Sequence, residues 1–150
     1  RASVHALRED SVDLGVQMRK VVADVTAAAP LAVELDVRCD RVPPNACSCL
    51  LAVTREALSN VLRHAAAERV VLRCVEHPGF FQLEVTDDGT ARSADGTAAD
   101  GTAASTGMGL ASMRERVEAL GGTFRAGPCA DGGWRVFATV PKGGAGRGAA

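Results

Sequence analysis

The chain has 150 residues, enough for one domain with a single sizeable core and too few for two. Apolar residues make up 47% and charged residues 23%, an ordinary globular balance that argues against a disordered or membrane-embedded bulk. The formal charge of -1 argues against a broad electrostatic footprint for nucleic acid or an anionic membrane.

No apolar run approaches the roughly 20 residues of a spanning helix, and RASVHALRED lacks the apolar core of a signal peptide, so a cytoplasmic, soluble piece is expected. The five cysteines (Cys39, Cys47, Cys49, Cys74, Cys129) are odd in number and contain no C-x-x-C pair. They read as reduced thiols. A helix through Cys47-Ser48-Cys49 would point its two sulfurs apart.

Residues 8 to about 29 place Val12, Val16, Val21, Val22 and Val25 at roughly helical spacing before Pro30, which predicts a first helix. LAVELDVR (31–38) alternates as a strand, and a long helical pattern follows from Pro44 to about Ala66. ERVVLRCVE (68–76) and FFQLEVTD (80–87) flank His77-Pro78-Gly79, a turn short enough to predict an antiparallel hairpin.

Residues 88–106 contain only Gly, Ala, Ser, Thr, Asp and one Arg. Such a stretch buries too little surface to offset its ordering entropy, so a mobile loop is expected. Leu110, Met113, Val117 and Leu120 then form a helical stripe that ends at Gly121-Gly122. TFRAG and WRVFATV (134–140) read as a last hairpin, and residues 142–150 as a disordered tail. The pattern predicts an α/β two-layer sandwich, one mixed sheet with helices on a single face.

Three features of this frame carry chemistry. At about 100° per residue, Leu51, Thr54, Leu58, Val61, Leu62 and Ala65 cluster on one side of the long helix. Glu56, Asn60, Arg63 and His64 fall on the other side. That line offers a carboxylate, an amide oxygen and two phosphate donors, a set suited to a magnesium-bound polyphosphate.

The second feature is Asp87. Period-two alternation places it on the apolar face of Phe81, Leu83 and Val85, at the rim where the strand ends. A carboxylate there needs a donor, and an exocyclic amine such as that of adenine supplies one. The third is Gly107-Met108-Gly109-Leu110, read as the opening of a helix whose free N–H groups and dipole favour phosphate. No Walker motif occurs in the chain.

In this order the motifs resemble those of the sensor histidine kinases. TREALSNVLRHA is similar to their N box, VTDDGT to the first glycine box, and GMGLASMRERVEALGG to the second glycine box and the helix after it. The likeness covers about residues 15–141 and is nearest to the kinases paired with NarL/LuxR-type response regulators. It implies the Bergerat-type ATP-binding fold, shared with gyrase, Hsp90 and MutL.

The same resemblance implies that Asn60 coordinates magnesium and that Glu56 orients or activates the phosphoryl acceptor, with Arg63 and His64 near the phosphates. Asp87 takes the adenine amine with Gly89 leaving room for the base, and Gly107, Met108, Gly109 and Leu110 lie at the phosphates. Residues 90–106 correspond to the ATP lid, residues 9–141 to the ATP-binding domain, and residues 1–8 to the trailing end of a dimerisation helix.

The implied partners are ATP, magnesium, a dimerisation domain bearing the acceptor histidine, and a LuxR-type response regulator, in a homodimeric parent that is soluble or membrane-anchored. His5, His64 and His77 lack the acceptor's surroundings, so the piece is expected to bind ATP without phosphorylating itself. One departure stands out: Ala91 replaces the second glycine of the family's D-x-G-x-G, which points to altered nucleotide affinity. A non-catalytic module of the same fold, a degenerate kinase or an anti-sigma-like regulator, is the alternative.

Overall fold

The computed structural model describes residues 13–27, 29–64, 66–89, 103–130 and 132–143, with the backbone alone for His64 and residues 103–108. Expectations for residues 1–8, for 90–102 of the lid and for the tail beyond Gly143 lie outside this set. In chain order the elements are α1 (Leu14–Thr26), β1 (Ala32–Arg38), α2 (Pro44–His64), β2 (Arg69–His77), β3 (Phe80–Asp87), α3 (Ala103–Ala119), β4 (Thr123–Pro128) and β5 (Trp134–Pro141).

The strands form one sheet in the order β1-β2-β3-β5-β4. β1 runs parallel to β2 through the α2 crossover, and the other neighbours are antiparallel, so the sheet is mixed. The predicted sandwich is therefore the observed one. Alternation sends Val70, Leu72 and Cys74 of β2, Phe81, Leu83 and Val85 of β3, and Val136, Ala138 and Val140 of β5 inward, all buried. The helices cover that face, with α2 in contact with β3 and β5, α1 with β1, and α3 with β4 and β5. Each large side chain removed from water there contributes about 1.5–3 kcal/mol.

The opposite face is mixed, with Val71 exposed and Phe137 under charged side chains. There Arg135 pairs with Glu84 at 2.6 Å and lies over the Phe137 ring.

The β2–β3 hairpin turns on Pro78-Gly79, with His77 opposite Phe80 and Gly79 at φ 91°, a conformation that suits glycine. α3 stops as its sequence indicates. Gly121 N–H donates to the Glu118 carbonyl at 2.9 Å and Gly122 N–H to that of Val117 at 3.0 Å, with Gly121 at φ 82°. This is the paired closure of a helix on a left-handed glycine.

Three sequence expectations need correction. The helix α1 begins at Leu14, where Asp13 caps it by accepting from the Val16 N–H at 3.2 Å, and residues 8–12 of the expected helix lie outside the described residues. Its packing stripe is Leu14, Met18 and Val21, whereas Val16 is exposed. The valines had hidden a better-spaced series. α3 begins at Ala103, so Gly107 and Gly109 lie inside the helix and not at its opening, and residues 103–106 are helical where a loop was expected. Ala103 and Ala104 are strong helix formers, which accounts for the earlier start.

On α2 the buried series is Ala46, Leu50, Val53, Ala57, Leu58 and Val61, and Leu51 and Leu62 are only half-buried. Cys47 and Cys49 are both buried. Burial pushes both thiols up, with Arg116 partly offsetting it for Cys49 alone.

Candidate nucleotide site

The polar stripe of α2 is covered at Asn60 and open at Arg63. Asn60 is only 4% exposed, although it lies in the sector opposite the expected apolar stripe. Its cover is α3, which packs against α2. A Cβ added at Gly109 would land on Glu56 Oε2 and lie 3.3 Å from Asn60 Nδ2. Glycine there leaves room for both side chains to stand against the α3 backbone in these positions. Arg63 Nη2 completes the group by donating to Asn60 Oδ1 at 2.7 Å and to Glu56 Oε2 at 3.3 Å.

Glu56, Asn60, Arg63 and Gly109, separated by as many as 53 positions, accordingly form one cluster. His64 closes α2, and Gly107 and Met108 lie in the α3 backbone just before Gly109. Leu110 is half-buried and packs against the core, which gives it a part in seating α3.

The second cluster stands at the end of β3. Asp87 is 4% exposed, and its Oδ1 accepts the Gly89 N–H at 2.8 Å. Alternation along β3 put this carboxylate on the helix-facing side, as period two requires. Opposite Asp87 in the ladder is Trp134, also buried. Next to it Gly133, at φ 87°, sits so close that a Cβ would strike the Asp87 carbonyl oxygen.

The sequence reading missed Gly133. The Gly132-Gly133 pair signalled a turn, but not its contact with the rim of β3. Gly133→Ala combines a left-handed strain of about 1–2 kcal/mol with that collision. We expect it to lower the urea midpoint at unchanged m-value, while Gly132→Ala, with open space around its Cβ position, carries the φ strain alone.

Asp88 has a different part from its neighbour. Its Oδ1 accepts the N–H groups of Glu68 at 2.9 Å and Arg69 at 3.1 Å, stapling the start of β2 to the end of β3. The bond from Arg69, then that from Glu68, holds its carboxyl below the usual aspartate range. A carboxyl more acidic in the folded than in the unfolded chain stabilises above the usual range and loses that contribution as pH falls through the lowered value. Asp88→Asn should therefore lower Tm at neutral pH, and the gap from the parent should close as the buffer is acidified through the aspartate range.

The two clusters lie on the same, helix-facing side of the sheet, one at the C-terminal half of α2 under α3 and the other at the end of β3. Fold and site together define an α/β sandwich in which one acidic cluster and one oxygen-rich, arginine-bearing cluster share a face. The sequence profile of histidine kinase-, DNA gyrase B-, and HSP90-like ATPases matches residues 48–144, and the chain belongs to that family.

Among sequence relatives, the sensor protein VraS of Staphylococcus saprophyticus is 28% identical over 128 residues, covering 85% of this chain and 35% of VraS. The chain thus spans about a third of the length of such relatives. Among solved structures, a histidine kinase domain from the Erythrobacter litoralis blue-light activated kinase superposes with a TM-score of 0.71 at 20% identity, over 88% of this chain and 62% of that one. The ATP binding domain of PrrB from Mycobacterium tuberculosis gives 0.66 at 20% identity, over 87% and 95%. These likenesses establish the fold. No helix among the described residues is long and apolar enough to cross a membrane.

Proposed function

We propose that this chain is the ATP-binding catalytic domain of a sensor histidine kinase and donates the γ-phosphoryl group of ATP to a histidine on a separate dimerisation domain. The observation that carries this reading is the contact of Gly109 with Glu56 and Asn60, which ties the second glycine box to the N box. Asp87 then marks the adenine end, with its acceptor oxygens matched to an amine and Gly89 beside it. Arg63, bonded to Asn60 beside Gly109 of α3, marks the phosphate end.

The donor chemistry fits magnesium. Asn60 Oδ1 would hold the ion as a hard oxygen donor, and Glu56 Oε2 stands near enough to share one Arg63 nitrogen with that amide oxygen. When bound, the ion would supply neutralisation of phosphate charge. Asn60 would present its amide oxygen to the ion once the half-exposed Arg63, which now donates to that oxygen at 2.7 Å, turns to phosphate oxygens. Glu56 lies beside Asn60, where it can accept or orient the proton of the attacking imidazole.

Phosphoryl transfer rests on positioning, so the acceptor histidine must come in line from outside this domain. The parent is then a homodimer that relays the phosphoryl group to a LuxR-type response regulator. Calorimetry with a non-hydrolysable ATP analogue, with and without magnesium, tests the site. We expect tighter binding with the ion, and loss of that difference in Asn60→Ala. A parent chain whose affinity ignores magnesium overturns the reading of Asn60.

Mixing the domain with a separately made dimerisation domain tests the reaction. Label from γ-labelled ATP should appear on the histidine. Steady phosphate release by the domain alone, with no transfer, would instead indicate an ATPase of the gyrase or Hsp90 kind.

A further inference from the structure

Away from the nucleotide site, β1 and β2 bring together two cysteines that lie 35 positions apart. Cys39 follows the end of β1, and its Sγ stands 3.6 Å from Sγ of Cys74 and 3.5 Å from the Cys74 carbonyl oxygen. The parallel register places Val37 opposite Cys74, so Cys39, two positions further on, leans back along the same inward face.

Its position is fixed by the turn that follows. The Asp40 N–H donates to Glu76 Oε1 at 2.7 Å, and Lys142 Nζ holds the other Glu76 oxygen at 2.5 Å. We propose that Cys39 and Cys74 are an oxidisable pair that a peroxide closes into an intramolecular disulfide joining the exit of β1 to β2.

The two thiols have unequal roles. Cys39 is half-buried and lines a groove of about 450 Å³ between α1 and β1, wide enough to admit a small oxidant, whereas Cys74 is fully buried. The hydrogen bond with Cys74 holds the Cys39 thiol below its usual range, outweighing burial and the Glu76 charge. Cys74 is pushed up, by its bond to Cys39 and then by burial. Cys39, which the groove opens to an oxidant, is therefore the attacking sulfur, and the buried Cys74 the resolving one.

The Cys39 thiolate attacks one peroxide oxygen and the O–O bond breaks. Hydroxide leaves, taking up the proton that Cys39 had shed, and Cys39 becomes a sulfenic acid. The Cys74 sulfur then attacks the Cys39 sulfur, the S–O bond breaks, and the departing oxygen leaves as water with the Cys74 proton. Two thiols lose two electrons and one peroxide becomes two waters. The sulfurs must close from 3.6 Å to about 2.05 Å.

The other three cysteines are poorer candidates. Cys47 and Cys49 are buried with thiols pushed up by burial, and Cys129 follows β4 at the opposite edge of the sheet.

The test is hydrogen peroxide added in equimolar amount to the reduced 150-residue chain, then alkylation under denaturing conditions and peptide mapping without reductant. The expected product is one cross-linked peptide joining Cys39 to Cys74, lighter by two hydrogens, with two alkylatable thiols lost per chain. In Cys74→Ser, Cys39 should remain a sulfenic acid that dimedone captures. In Cys39→Ser, which alters a half-buried site, no intramolecular bridge should form and nucleotide affinity should be unchanged. A bridge that joins any other pair, an intermolecular bridge, or a parent chain in which Cys74 stays alkylatable while Cys39 is over-oxidised would overturn the proposal.

Discussion

Asp87→Asn should weaken binding of an ATP analogue about 10- to 100-fold, the range that corresponds to losing one hydrogen bond to a charged group. The substitution is nearly isosteric, and its amide oxygen can still accept the Gly89 N–H that Asp87 Oδ1 accepts at 2.8 Å. The turn at the end of β3 is therefore preserved. What changes is the remainder of the group: an amide presents N–H donors where the carboxylate presents acceptors, so the adenine amine meets a donor.

The readout is calorimetry on both chains with magnesium present, together with a thermal melt. The expected pair of results is a large rise in Kd and a Tm that falls little. If the variant binds as tightly as the parent, Asp87 does not receive the base. If both affinity and Tm collapse, the buried carboxylate belongs to the structure of the rim, alongside Trp134 and Gly133.

That the two neighbouring aspartates separate into a buried and a stapling one shows where sequence reasoning reaches and where it stops. Asp87 was legible because strand alternation is a local property, and Phe81, Leu83 and Val85 identify its face without reference to the rest of the chain. The same local rule gave the β2–β3 hairpin, where Pro78-Gly79 sets the turn. Asp88 was not legible, because its partners are backbone N–H groups 19 and 20 positions earlier, and nothing in DDG announces them.

Helix faces fall between these cases. The stripe Glu56, Asn60 and Arg63 follows from helical geometry, but the burial of Asn60 depends on α3, whose contact is set by tertiary packing. The Asp13 cap at the start of α1 was missed because apolar spacing alone was weighed. The Cys39–Cys74 pair was invisible for the strongest reason, since it requires the register of two strands and the turn that Glu76 holds.

Gly109→Ala is the second large effect, and stability and function should move in opposite directions. Alanine in place of an interior helix glycine favours the helix by about 0.8–1 kcal/mol. The added methyl would meet Glu56 Oε2 first, and that atom is the far end of a half-exposed side chain able to swing away. The collision is thus relieved by moving the carboxylate, and Tm should hold or rise. The displaced carboxylate, however, is the group proposed to handle the imidazole proton, and Asn60 Nδ2 lies 3.3 Å from the same methyl position.

Loss of a positioned Glu56, the proposed general base, and a small shift of the amide proposed to hold magnesium together predict a fall of about 10²- to 10³-fold in transfer to a supplied dimerisation domain. Single-turnover transfer at saturating ATP, measured beside the thermal melt, separates the possibilities. Transfer at the parent's rate would mean that α3 does not position Glu56 for chemistry. A large drop in Tm would mean that the helices themselves part, placing the need for glycine in packing. A stable domain that binds nucleotide yet transfers slowly would show that this glycine is retained against helix propensity to keep Glu56 and Asn60 in place.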